Sequence, residues 1–280
     1  MAGQVPPCAH IQTLPCTPRR APRQPEGKET QMTAPAFLDT PQSRRLAYHL
    51  TPGTGPAVVF LGGLRSDMTG TKAIHLEDWA RARGRAFLRF DYSGHGHSDG
   101  LFTDGCIGDW AEDAQAALTA LTEGPLVLVG SSMGGWISLL MARRMPDRLA
   151  GLVTIAAAPD FTEDGYWANW SEDQRREVME TGRIALPSEY GEDMILTRRL
   201  IEDGRYHLVL RSPLALDVPV RLLQGTADDA VSQDVALRLL AHLDGPDIRL
   251  ELVKGADHRF SDDACLQILT RTLDEMLAAM

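Results

Sequence analysis

Ser132 stands in the stretch Gly130-Ser131-Ser132-Met133-Gly134, which has the spacing Gly-x-Ser-x-Gly. A serine hydroxyl is a poor nucleophile at neutral pH. To attack a carbonyl it needs a base that titrates near neutrality and donors for the oxyanion that develops. Both residue types follow downstream. Gly225-Thr226-Ala227-Asp228-Asp229-Ala230-Val231 offers carboxylates, and Lys254-Gly255-Ala256-Asp257-His258-Arg259-Phe260 offers a histidine. Serine, acid and histidine in that order can serve as nucleophile, orienting carboxylate and general base.

Of the eight histidines, only His95, His97 and His258 follow strand-like apolar runs, and only His258 comes after the acid. His258 is therefore the candidate base. His10 lies in the N-terminal tail, His49 precedes the core strands, His75 and His242 fall in helical patterns, and His207 lies in a long irregular stretch. Among the carboxylates, Asp228 is three residues after Gly225 and three before Val231, the spacing expected of the orienting acid. Asp229 and Asp257 read as solvated or helix-capping groups. Two backbone N–H groups complete the set: Met133, at the start of the helix after the serine, and Leu64, in the glycine turn Gly62-Gly63-Leu64-Arg65. Ser131 is expected to be buried or bonded to backbone.

One competing chemistry is visible. His95-Gly96-His97-Ser98-Asp99 has part of the spacing of a binuclear metal-hydrolase signature, but Gly100 stands where that signature continues with another histidine. The same residues fit Asp-x-x-Gly-x-Gly-x-Ser, a loop of serine hydrolases. We read them that way, and expect neither metal nor cofactor.

These residues need strands that end together. Apolar runs at 57–61, 86–90, 126–129, 149–158, 220–224 and 248–253 read as buried strands. Helical patterns at 71–83, 109–121, 135–144 and 233–243 separate them, and a closing helix runs to the C-terminus. Such alternation predicts an α/β fold with a mostly parallel sheet flanked by helices. A poorly patterned strand candidate lies at 44–50. The alternation stops over residues 159–214, where helix-like pieces at 171–182 and 191–203 occur without a convincing strand. An insertion at the carboxyl edge of a sheet predicts a lid over the ligand. Trp167 and Trp170 within it can line an acyl pocket or anchor the lid, and their types do not choose between the two.

With 280 residues and 44% hydrophobic content, the chain has material for one domain, residues 32–280, carrying that insertion. A formal net charge of −10 argues against a nucleic-acid or anionic-membrane surface. No apolar run approaches a membrane span. Cys8, Cys16, Cys106 and Cys265 have no metal-ligand spacing, which suits a reduced, cytoplasmic protein. Residues 1–31 hold six of the seventeen prolines and no periodicity, so we expect a disordered tail.

Residues 57–280 resemble the α/β-hydrolase superfamily. Within it, Ser66-Asp67-Met68-Thr69-Gly70-Thr71-Lys72-Ala73, Arg89-Phe90-Asp91-Tyr92-Ser93-Gly94, Gly130 to Trp136 and Asp257-His258-Arg259 resemble the family of α/β-hydrolase-domain protein ten. Gly62-Gly63-Leu64-Arg65 departs from that family's usual wording. The resemblance implies an α/β-hydrolase fold, a triad of Ser132, Asp228 and His258, and palmitoyl-protein thioesterase or acyl-glucuronide esterase activity. It also implies a mitochondrial relative, of which this chain would be a bacterial counterpart. The expectation is a cofactor-free serine hydrolase acting on a small-molecule ester or thioester, or on an S-acylated protein. A short-chain carboxylesterase or amidase, and a receptor with slow turnover, are the alternatives.

Overall fold

Every residue of the strand Leu126–Ser131 is buried, because helices cover both faces of the sheet in which it is central. The computed structural model describes residues 34–187 and 193–280. The expected disordered tail lies outside them. The described residues from Pro35 onward form one compact unit.

Six strands come first: β1 (Ala36–Asp39), β2 (Arg45–Thr51), β3 (Thr54–Leu61), β4 (Arg85–Phe90), β5 (Leu126–Ser131) and β6 (Leu149–Ile155). Val220–Gly225 and Ile248–Val253 complete an eight-stranded sheet in the order β1, β2, β4, β3, β5, β6, Val220–Gly225, Ile248–Val253. Only β1 with β2 and β2 with β4 pair antiparallel; the other neighbours are parallel. The exposed edge strand β1 has no apolar alternation of its own, so its sequence carries no strand signal.

Alternate residues of the central strands feed two cores, as the pleat requires. Val59, Leu61, Leu126 and Leu128 join one, with Ile107, Trp110 and Leu118 of helix α2 (Ile107–Leu121) and Trp136, Ile137 and Leu140 of α3 (Met133–Arg144). Val58, Phe60, Val127 and Val129 join the other, with Leu76 and Trp79 of α1 (Thr71–Ala82) and Leu269 and Leu273 near the C-terminus. A buried ion pair ties α1 to β4: Arg89 lies 2.7 Å from Glu77, both side chains 3% exposed. That pairing outcompetes burial and holds the Glu77 carboxyl below its ordinary range.

Between β6 and Val220–Gly225 the chain leaves the sheet. It forms a π-helix, Phe161–Trp167, then α4 (Glu172–Thr181), a hairpin of Arg183–Leu186 with Met194–Thr197, and α5 (Arg198–Gly204). Ser171 and Gln174 close a capping box on α4, and Gly182 ends it in the left-handed region. The hairpin corrects the sequence expectation of helix over 191–203 and of no convincing strand. Met-Ile-Leu-Thr pairs with Arg-Ile-Ala-Leu, and the Thr197 hydroxyl, accepting the Leu200 N–H at 3.1 Å, starts the helix only at Arg198. Residues 191 and 192 lie outside the described residues. Val178, Ile184, Leu196 and Ile201 are buried in the same core as Trp136, so the excursion is packed on the sheet layer. After α6 (Gln233–His242), helix α7 (Asp263–Ala278) closes the chain. Among the described residues no helix is long and apolar enough to cross a membrane.

Candidate active site

β5 passes into α3 through a single residue, Ser132, with φ 55° and ψ −118°. A side-chain-bearing residue in that region is strained by about 1–3 kcal/mol. The surroundings enforce it. A Cβ at position 134 would lie 2.0 Å from the Leu61 carbonyl oxygen, and one at position 130 would lie 2.3 Å from the Gly134 carbonyl oxygen. Only glycine allows the strand and helix to approach this closely. The Ser132 N–H donates to the Ile155 carbonyl at 2.9 Å, and its own carbonyl accepts from Gly135 and Ala158. The backbone of the serine is thus locked while its side chain remains partly accessible. Ser131, the last residue of β5, is 6% exposed, as expected.

Strand ends deliver the other two groups. Asp228 follows Val220–Gly225, and His258 follows Ile248–Val253. The two strands are parallel neighbours in register from Val220 opposite Ile248, so their loops rise side by side. Across that gap His258 Nδ1 lies 2.9 Å from Asp228 Oδ2, and His258 Nε2 lies 3.2 Å from Ser132 Oγ. Three residues far apart in the chain form one continuous contact path. Asp229 and Asp257, the two discarded acids, are exposed.

The Asp228 side chain is fully buried and carries four hydrogen bonds. Besides the imidazole, it accepts from the Ala230 N–H at 2.9 Å, the Val231 N–H at 2.7 Å and Gln224 Nε2 at 2.9 Å. Burial alone would raise its pKa. The bonds from His258, Val231 and Gln224, with the attraction of the imidazole, outweigh burial and hold the carboxyl below its ordinary value. Gln224 is buried at the end of its strand and was not singled out in the sequence. A polar residue following the apolar pair Leu222-Leu223 at the end of the strand, just before the acid's loop, is the signal that could have found it.

Met133 is the first residue of α3, so its N–H has no acceptor within the helix. The Gly62–Leu64 loop lies against the serine: a Cβ at Gly63 would stand 3.3 Å from Ser132 Cβ. The Ser66 N–H bonded to the Gly63 carbonyl at 3.1 Å, with Arg65 at φ 56°, turns the chain there. Leu64 is the residue directly after Gly63 in that turn. Asp91 anchors this loop to the next, accepting from the N–H groups of Met68 at 2.6 Å and His97 at 2.8 Å.

His95 is buried among Tyr92, Phe102 and Trp110, with Nδ1 3.1 Å from the Ser93 carbonyl. Burial takes its pKa down to about 4, so the ring is neutral. His97 turns to the Asp91 side. The His95 ring packs within its own loop, and among the described residues no three His, Cys, Asp or Glu side chains gather as a metal cluster. Trp170 is buried beside Tyr166, and the guanidinium groups of Arg175 and Arg205 lie over the Trp167 ring, 5.5 and 4.5 Å from its centroid. Both contacts fit anchoring of the excursion.

Comparison with known proteins gives a consistent picture. A model of the α/β hydrolase fold matches residues 56–194. The palmitoyl-protein thioesterase ABHD10, mitochondrial, of Rattus norvegicus is 35% identical over 249 residues, which is 88% of this chain and 84% of that protein. Among solved structures, a putative hydrolase from Agrobacterium vitis S4 superposes with a TM-score of 0.84 at 38% identity, covering 87% of this chain and 98% of that one. Mouse α/β hydrolase domain-containing protein 10 superposes with a TM-score of 0.82 at 33% identity, covering 88% and 99%.

Proposed function

This chain belongs to the α/β-hydrolase family and is an ester or thioester hydrolase, and we propose that it works as a serine hydrolase through an acyl-enzyme. The observation that carries this reading is the contact path from Ser132 through His258 to Asp228, at 3.2 and 2.9 Å. When the imidazole donates its Nδ1–H to Asp228, Nε2 faces the hydroxyl as an acceptor. It takes the serine proton as Oγ attacks the acyl carbonyl. Asp228, kept ionised by its donors, fixes the tautomer and stabilises the imidazolium. The N–H groups of Met133 and Leu64 receive the oxyanion. His258 then gives its proton to the departing thiol or alcohol; afterwards it draws one from the water that attacks the acyl carbon and returns it to Ser132 Oγ as the Oγ–acyl bond breaks and the acid leaves.

Relatives named palmitoyl-protein thioesterases support a long-chain acyl thioester as substrate, on a small molecule or on an S-acylated protein. The excursion between β6 and Val220–Gly225 is read as a lid. It begins within a few residues of the serine's own hydrogen-bond partners Ile155 and Ala158. The test is multiple-turnover hydrolysis of a palmitoyl thioester, an acyl glucuronide and a short-chain ester by wild type and Ser132→Ala. Loss of about 10⁴-fold or more in kcat for the variant is expected. Retained turnover in Ser132→Ala would remove the serine from the mechanism, and equal kcat/KM for long and short acyl chains would remove the preference for a long-chain acyl group.

A further inference from the structure

His258 sits on a short loop between Ile248–Val253 and α7, and the two ends of that loop are held differently. Its upstream end is tied to the loop of the acid: the Gly255 N–H donates to Thr226 Oγ1 at 2.9 Å and the Ala227 N–H to the Ala256 carbonyl at 3.0 Å. Downstream, Phe260 is fully buried with φ 49°, and its N–H donates to Asp257 Oδ1 at 3.0 Å. That left-handed turn aims the Arg259 carbonyl at α1. There it accepts from the Lys72 ammonium and, at 2.8 Å, from Ser261 Oγ. Lys72 Nζ also lies 3.5 Å from Ser261 Oγ.

Lys72 is the second residue of α1, the helix that follows the Gly62–Leu64 loop. One short segment thus carries the proposed oxyanion donor and reaches the residue after the proposed base. We propose that Lys72 is a positioning residue: by pinning the Arg259 carbonyl it holds the His258 imidazole in line between Asp228 and Ser132. The role rests on the serine-hydrolase reading above.

A charged donor suits the task, since ammonium to carbonyl bonds are stronger than neutral ones. The groups that face Lys72 are Asp257 and Arg259 on the histidine loop and Cys265 at the start of α7, itself bonded to Asp262. Desolvation outweighs the attraction of Asp257 and Cys265 and, with the repulsion of Arg259, takes the lysine down to about 8. Its charge is then lost just above neutrality. A lysine lowered in this way disfavours the folded state while charged, and the cost is relieved as pH rises through 8 toward the ordinary lysine value. Lys72 is therefore a poor choice for stability alone.

The experiment compares wild type, Lys72→Met and Lys72→Arg for kcat, KM, melting temperature and the rate of Ser132 labelling by a fluorophosphonate, from pH 6 to 10. Lys72→Met should lose about tenfold in kcat and in labelling rate, with KM within twofold and melting temperature at pH 7 unchanged or higher. The wild-type rate should fall above pH 8 with the fold intact by circular dichroism, Lys72→Met should lack that fall, and Lys72→Arg should move it up by at least one pH unit. A kcat for Lys72→Met within twofold of wild type, or a loss matched by a lower melting temperature, overturns the proposal. If Lys72→Met does not fold, a wild-type rate that stays flat from pH 7 to 10 overturns it instead. Wild type that does not label at Ser132 sinks the serine reading and this role with it, whereas equal labelling of wild type and Lys72→Met sinks this role alone.

Discussion

Asp228 gathers four donors onto one buried carboxylate, and its chemistry follows from that count. A group held below its ordinary value contributes stability at every pH above that value, near 3.9, and loses the contribution as pH falls through the folded value. Asp228→Asn should therefore be less stable than wild type at pH 7, with the gap closing as pH falls through the folded value. Its kcat should fall by about 10⁴, because an amide can hold the imidazole in the wrong tautomer. Urea unfolding across pH and steady-state kinetics check the two halves; a stability gap that does not narrow as pH is lowered from 7 into the acid range would mean the carboxylate's charge is not what stabilises. Gln224→Leu removes one donor from the same oxygen, so it should cost about tenfold in kcat with KM little changed. An unchanged kcat would show that the remaining donors hold Asp228 without the amide.

At the scale of elements, the site depends on how closely β5 and α3 approach β3. Gly134→Ala sets a methyl 2.0 Å from the Leu61 oxygen, which neither the strand nor the helix can yield without moving Ser132. We expect a loss of about 3 kcal/mol or more in stability, together with activity, by analogy with overpacked cores. A folded, fully active variant would show that the elbow is looser than its contacts indicate. The proposed lid has its own fastening. Asp160, in the left-handed region with a fully buried side chain, accepts from the N–H groups of Val209 at 2.7 Å and Leu210 at 3.0 Å, joining the start of the excursion to its end. Asp160→Ala strands both donors at about 1–3 kcal/mol each. Hydrogen exchange at the Val209 and Leu210 amides should rise at least tenfold, and exchange unchanged there would deny the fastening.

At the scale of the molecule, every residue proposed to act lies within Pro35–Met280. A chain beginning at Met32 should keep kcat/KM within twofold, measured beside the full-length protein on the same thioester. A larger loss would give residues 1–31 a part in the function. The net charge of −10 and a mostly parallel sheet with loops at the carboxyl ends of its strands suit a hydrolase rather than a polyanion binder.

From the sequence alone came the alternation of core strands with helices and the proposal of Ser132, Asp228 and His258 as nucleophile, acid and base. Both are local facts: a strand buried on two faces is a run of apolar residues, and a tight turn is a pair of glycines around the residue it exposes. The short edge strand β1 and the hairpin before α5 were not legible, because neither has an apolar run long enough to set a period against its neighbours. The tertiary structure decided what depends on distance through space. It set the 2.9 Å contact between residues 30 positions apart, the 3.2 Å contact between residues 126 apart, and the surroundings of Trp167 and Trp170. It also revealed Gln224 beneath the acid and Lys72 behind the base. A residue that acts by holding another has no spacing of its own in the chain; only the folded sheet and helices bring it to the group it holds.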